Sequence, residues 1–317
     1  MLKHEYLEAY LLGSGFNCKE DTLNLTQTMT LYLNMKVPRM LNYITLIFLL
    51  GTLSFQAKAQ EKTIKGKVYD DHGNVLSWVN IGIRNMDVGT VSKEDGSFQL
   101  LIPDSLKDKS LTFSFVGFEE NVIPVKKLNP SMNMEVVLHE KTTELQEVTI
   151  TNKELKPKTL GTKLYAPLLW FNLTVREQEG YLEPAKLIKI KEPAKLLNAN
   201  IRVAGNKKSK DSITFRLNIY KIEDGLPEDR LIEKNIIKTF PLSTKLLTFD
   251  LKDEDIILNE DCAIAFEYIP KNTENPIPLY SFRAVLGSTD AFIRSFSTGK
   301  WYPIDTGSLS LFLEVLQ

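Results

Sequence analysis

Carboxylates are the most concentrated chemistry in this chain. Asp253, Glu254 and Asp255 are consecutive, and Glu260 and Asp261 follow closely. Hard cations want several oxygen ligands, so Asp253, Asp255 and Asp261 form a candidate Ca²⁺ site at the edge of a sheet. Paired carboxylates flanking a sugar would also serve glycoside hydrolysis, one as general acid and one as base or nucleophile. The plainer alternative is two solvated loops on either side of the short apolar run Ile256–Leu258. Aromatic side chains are the second concentration. Trp170, Tyr181, Trp301 and Tyr302 are candidate ligand-binding residues, because exposed rings with an apolar face and a polar tip can stack on pyranose rings.

Other chemistries find no support. The histidines are His4, His72 and His139, and none stands in the H-E-x-x-H spacing of a zinc peptidase. No G-x-S-x-G elbow is present. Cys262 lies in an alternating apolar run, where a thiol is buried and unreactive. With 39 Lys+Arg against 40 Asp+Glu, the chain carries no basic footprint for nucleic acid. The expectation is therefore a non-catalytic protein without a cofactor, Ca²⁺ aside, with a glycan-active hydrolase as the alternative.

The elements that would position these residues begin after a targeting signal. Met35–Gln60 reads as a positive n-region (Lys36, Arg39), an apolar run from Leu41 to Phe55, and Ala57-Lys58-Ala59 as an A-x-A cleavage site. The apolar run is shorter than the ~20 residues of a spanning helix. Residues 35–59 are thus expected to be a signal peptide and residues 1–34 a leader from a start assigned too early. The protein is expected to be exported, to the periplasm, the outer membrane or the medium, and to meet a membrane only through the signal segment if that is kept. Cleavage would leave Cys262 as the one cysteine, so a stable fold must come from packing and not from a disulfide.

From Thr63 the hydrophobic period is two. Ile64, Gly66 and Val68 alternate with Lys65, Lys67 and Tyr69, then Asp70–Asn74 supplies turn residues. Val79, Ile81 and Ile83 share one face of the next strand, and Glu94-Asp95-Gly96 makes a hairpin turn. Further strand runs flank Gly117, and "MNMEVVLHE" closes the unit. Short strands at regular spacing predict a β-sandwich over residues 61–140.

The ordered motifs are specific. Gly66 and Val68, Asp70 and Gly73, Asn80 with Ile81 and Ile83, Gly89-Thr90 with Asp95, Gly96 and Phe98, and Ser114 with Val116, Gly117 and Phe118 follow one another in the chain. This region resembles the carboxypeptidase regulatory-like domain, a transthyretin-like β-sandwich found at the N-terminus of TonB-dependent outer-membrane transporters. The resemblance implies structural roles for these positions and no catalysis. In those transporters an L-x-E-V-x-V segment follows and leads to a plug and barrel, and Leu145–Ile150 is similar to it. The residues left are too few for a barrel of ~20 strands of ~10 residues. Residues 141–163 are therefore expected to be a linker.

Residues 164–317 again alternate. Ile201 and Val203 end one run, and Ile213, Phe215, Leu217 and Ile219 share a face of the next. Two edge strands flank Pro241. Cys262, Ile264, Phe266 and Tyr268 alternate, as do Leu309, Leu311, Leu313 and Val315. About eight strands and almost no helical periodicity predict a second, jelly-roll-like sandwich. The whole reads as an all-β envelope protein, a spacer or docking module followed by a binding module. Its expected partner is a glycan or an envelope protein, with service as an accessory to an outer-membrane transporter as an alternative.

Overall fold

The computed structural model describes residues 61–141, 155–173, 182–205, 210–269 and 280–317. The expected leader and signal peptide, the Leu145–Ile150 segment and Tyr181 lie outside these described residues. Among the described residues no helix is long and apolar enough to cross a membrane.

The first module contains β1 (Glu61–Tyr69), β2 (Asn80–Gly82), β3 (Gly89–Val91), β4 (Ser97–Pro103), β5 (Ser110–Ser114), β6 (Asn121–Pro124) and β7 (Asn133–Val137). They form a three-stranded sheet, β4-β1-β7, and a four-stranded sheet, β3-β2-β5-β6. β1 pairs antiparallel with β4 and parallel with β7. The turn after β1 is held by Asp70, whose Oδ1 accepts bonds from the His72 and Asn74 amides at 2.9 and 2.8 Å. Gly96, in the expected hairpin turn, has φ +75°, where a side chain would be strained. Alternation sends Ile64, Val68 and Phe98 inward to meet Ile81, Leu111 and Phe113. Phe98 and Phe113 meet edge to face across the sandwich, with centroids 5.4 Å apart.

The second module contains β8 (Pro157–Gly161), β9 (Trp170–Leu173), β10 (Glu183–Ile188), β11 (Ala194–Arg202), β12 (Ser212–Glu223), β13 (Leu226–Arg230), β14 (Ile236–Pro241), β15 (Leu246–Asp250), β16 (Ile257–Leu258), β17 (Cys262–Ile269), β18 (Tyr280–Val285), β19 (Ala291–Arg294), β20 (Tyr302–Pro303), β21 (Ser308–Leu309) and β22 (Leu311–Leu316). A seven-stranded sheet runs β13-β12-β17-β10-β19-β20, with β14 also on β12. A five-stranded sheet runs β15-β11-β22-β8, with β16 on β11, and a three-stranded sheet runs β21-β18-β9. The chain passes back and forth between the two large sheets, as in a jelly roll. Their inner faces meet through Phe215, Leu217 and Phe266 on one side and Phe249, Leu311 and Leu313 on the other.

Two features differ from the sequence reading. β8 lies inside the stretch expected as a linker, yet its residues Pro157–Gly161 pair with Leu316–Phe312 of β22. A strand rich in Lys and Pro is tolerated there because β8 is the outermost strand of its sheet. Secondly, the modules are not separate beads. Gln60–Gln317 is one compact unit, and the outer face of the four-stranded sheet packs on the outer face of the seven-stranded one.

Candidate functional site

The packing between the modules is built of charges. On β12 the residues that alternate with the core positions are Arg216, Asn218 and Tyr220, and on β17 they are Ala263, Ala265 and Glu267. β10 adds Glu183 and β19 adds Arg294. Arg216, Glu183 and Glu267 are wholly buried, and Arg294 and Asn218 nearly so. A buried charge persists only when paired and hydrogen-bonded, and here each one is. Arg216 reaches both Glu267 oxygens at 3.2 and 3.3 Å. Arg294 Nε donates to Glu183 Oε2 at 2.6 Å, and its Nη2 donates to the Tyr220 hydroxyl at 2.7 Å. Tyr220 donates to Glu183 Oε1 at 2.9 Å. The Asn218 amide bridges the two carboxylates, at 2.7 Å from Glu183 and 2.7 Å from Glu267. Burial pushes the Tyr220 phenol far above its ordinary range, so the hydroxyl stays a donor. Burial opposes the charge on Arg230, but the nearby Glu267 and Glu183 carboxylates favour it, and its pKa is raised.

The first module closes this network. Arg216 Nη2 donates to the Trp78 carbonyl at 2.9 Å. Trp78 has φ +60°, an uncommon conformation for a bulky residue, and it turns that carbonyl toward the arginine. The Arg216 guanidinium also lies 5.3 Å from the Phe115 ring centroid. With its amide turned so that nitrogen faces acceptors, Asn80 donates to Glu267 at 3.0 Å and accepts from Arg230 at 2.9 Å. Backbone contact is equally close. A Cβ on Gly82 or Gly89 would run into the Ser297 carbonyl of the second module. At the rim, Gly117 N–H and Lys141 both donate to Glu233, at 3.2 and 2.9 Å.

Two adjoining clefts of about 70 and 470 Å³ open above the network, and both are lined by Arg84, Ser114, Glu120, Asp229 and Arg230. Arg84 holds Glu120 at 2.6 Å, and the hydrogen bond to Glu120 raises the arginine pKa. The lining is mixed in sign and mostly polar. Glu183 and Glu267 lie beneath it, sealed from solvent and committed to arginines, so they are not placed to exchange protons with a bound substrate.

The candidate residues from the sequence fall elsewhere. Trp301 is 5% exposed, with Arg294 4.5 Å from its ring centroid and Tyr220 edge-on at 5.6 Å. It is a wall of the buried network and not an exposed stacking platform. Tyr302 is exposed, and its hydroxyl donates to Asp87 of the first module at 2.8 Å. Trp170 is exposed on β9, with Arg283 5.6 Å from its ring centroid. The structure does not bring Asp253, Asp255 and Asp261 together. Asp255 pairs with Lys195 at 2.6 Å, and Asp261 pairs with Lys189 at 2.8 Å while accepting from the Ile190 amide at 2.8 Å. Those lysine hydrogen bonds lower both carboxyl pKa values. Among the described residues no group of three or more His, Cys, Asp or Glu side chains could hold a metal. Cys262 is buried as expected, its thiol pushed up to about 12 by burial.

The network residues were missed because polar side chains at period two read as a solvated strand face. A signal was present, however. Ala263 and Ala265 alternate with Cys262, Ile264 and Phe266, and a strand apolar on both faces is covered on both.

Residues 64–150 match the family described as the CarboxypepD_reg-like domain, and the first module is a domain of that family. TonB-dependent receptor P3 of Formosa agariphila is 33% identical over 113 residues, which cover 35% of this chain and 11% of that protein. TonB-dependent receptor SusC of Bacteroides thetaiotaomicron is 32% identical over 98 residues, 31% of this chain and 9% of that protein. The chain thus spans about a tenth of the length of these relatives. Among solved structures, the cysteine protease and lectin-like domains of Cwp84 from Clostridium difficile superpose with a TM-score of 0.37 at 9% identity, covering 76% of this chain and 58% of that one. So loose a superposition carries no argument about function.

Proposed function

We propose that this is a non-catalytic, exported cell-envelope protein, in which the regulatory-like domain and the second sandwich form one docking body for an envelope partner. The observation that carries the reading is the sealed network in which the Arg216–Glu267 and Glu183–Arg294 pairs occupy the buried carboxylates, while Arg216 bonds to Trp78 and Glu267 to Asn80 across the module boundary. A hydrolase would need an acid and a base open to substrate. A transporter of the outer membrane is the partner favoured, because the two named relatives are TonB-dependent receptors that share the first module. A glycan is the weaker choice, since Trp301 lies buried under Arg294 and Trp170 faces Arg283.

The test is made in the native host. Mass spectrometry of the protein from cell fractions should find it in the envelope, beginning at Gln60. Crosslinking there should recover an outer-membrane transporter. A chain found in the cytoplasm with residues 1–59 intact would overturn the export reading, and recovery from the envelope with no transporter crosslink would overturn the partner.

A further inference from the structure

The segment around β9 has an uncommon composition. From Leu155 to Arg176 the sequence has no Asp or Glu, but it holds Lys156, Lys158, Lys163 and Arg176. Leu160 and Phe171 pack partly against the core, but two leucines between them stand out to solvent. Leu164 is 80% exposed and Leu168 88%, values that belong to side chains standing out from the body and not to a groove. The Ala166 amide donates to the Ala284 carbonyl at 3.0 Å, and the Ala284 amide donates to the Leu169 carbonyl at 3.2 Å. These bonds lay the loop against the end of β18, where Leu286 emerges 71% exposed.

The base of this apolar tip is held by cations. Arg283 lies 5.3 Å from the Tyr165 ring and 5.6 Å from the Trp170 ring. Arg202 lies 5.3 Å from Tyr165 and donates to the Lys163 carbonyl at 3.2 Å. Arg283 donates to the Pro167 carbonyl at 2.7 Å. The loop is therefore braced and not merely projecting. Protruding leucines, two half-exposed aromatics behind them and a basic collar form the sequence of depths that a lipid–water interface favours: acyl region, headgroup, anionic surface.

We propose that the Thr162–Trp170 loop, with Leu286 beside it, is a docking tip for an anionic lipid surface. A contiguous exposed apolar patch rimmed by polar residues marks an interaction site. Charge complementarity selects the lipid, because Lys163, Arg202 and Arg283 ring the tip and the loop itself carries no acidic residue. The inference rests on the export reading only for which bilayer the tip would meet in the cell.

The experiment uses the full chain with vesicles of phosphatidylglycerol and phosphatidylethanolamine, with and without bromine on the acyl chains. Leu41–Phe55 can enter a bilayer by itself, so attachment is not the readout. The readout is quenching of Trp170 fluorescence by the brominated chains, with Trp170→Phe as the control that assigns the signal. Quenching is expected with the anionic vesicles and is expected to weaken at high salt. Leu164→Asp with Leu168→Asp should raise the vesicle concentration needed by about tenfold or more. Both leucines are exposed, so the fold should survive, as circular dichroism would report. Absence of Trp170-dependent quenching overturns the proposal, as does quenching that ignores the two Asp substitutions. If the chain instead self-associates in sedimentation and those substitutions abolish that, the tip is a protein contact and the lipid assignment fails. The vesicle result is independent of where the chain resides in cells, which the N-terminal mass reports.

Discussion

On one face of the seven-stranded sheet Phe215, Leu217 and Phe266 meet the apolar face of the opposing sheet. On the other face of the same strands, Arg216 and Glu267 meet the first module, with Asn218 between their partners. Both faces exclude water: Leu217 is 1% exposed and Arg216 is 0%. Their energetics differ in kind. The apolar face gains from burial itself and tolerates many arrangements of similar volume. The charged face gains little from burial, because desolvating its five charged groups offsets most of their attraction. What it supplies is register, since Arg216 fits only where the Glu267 carboxylate, the Trp78 carbonyl and the Phe115 ring coincide. The first face makes a module, and the second decides how two modules join.

The sharpest way to break that comparison is to remove one partner on the charged face. Glu267→Ala leaves Arg216 buried without its carboxylate and should cost about 3–5 kcal/mol in urea denaturation. The loss should separate the modules, so that unfolding resolves into two transitions where the parent shows one. Replacing both, Arg216→Met with Glu267→Leu, should recover most of the stability. A double variant as unstable as the single one would mean that the pair stabilises the fold outright. On the apolar face, Leu217→Ala should cost about 2–5 kcal/mol through transfer and cavity terms. There the two modules should still unfold together, because the register of the joint is untouched.

The next effect is steric. Gly89→Ala places a Cβ against the Ser297 carbonyl, and overpacking of this kind costs about 1–3 kcal/mol. The same substitution at Gly73, which has open space around it, meets no neighbour and is opposed only by its φ of +79°. If Gly89→Ala and Gly73→Ala destabilise equally, the close approach of the modules at Ser297 is not what Gly89 serves.

Sequence patterns show one face of this sheet and hide the other, for a physical reason. Ile213, Phe215, Leu217 and Ile219 declare themselves because apolar groups at period two must be buried. Arg216, Asn218 and Glu267 at the alternate positions have the composition of a solvated face, and only their partners on other strands make burial tolerable. Glu267 lies 51 residues from Arg216, and the first-module partners Trp78 and Asn80 lie more than a hundred residues from Arg216 and Glu267. The first module was legible almost in full, since turn residues such as Asp70 and Gly96 act locally. Trp301 was misplaced because its neighbours are Arg294 and Tyr220, which no local pattern brings beside it. The acidic runs suggested a cation site because local sequence shows the carboxylates but not the lysines that take them.

The smallest effect tests that last point. Asp261 is held by Lys189 and by the Ile190 amide, and both lower its carboxyl pKa in the folded chain. A lowered folded pKa means stabilisation that is complete above the ordinary carboxylate range and is lost as pH falls through the folded value. Asp261→Asn should therefore be less stable than the parent at neutral pH, by less than about 1 kcal/mol because the lysine is exposed. The gap should close in acid, where the parent's carboxyl is protonated as well. Added Ca²⁺ should leave the denaturation midpoint of both proteins unchanged. A midpoint that rises with Ca²⁺ in the parent and not in the variant would return Asp261 to the role of a cation ligand. It would also mean that the Lys189 pair gives way to the ion.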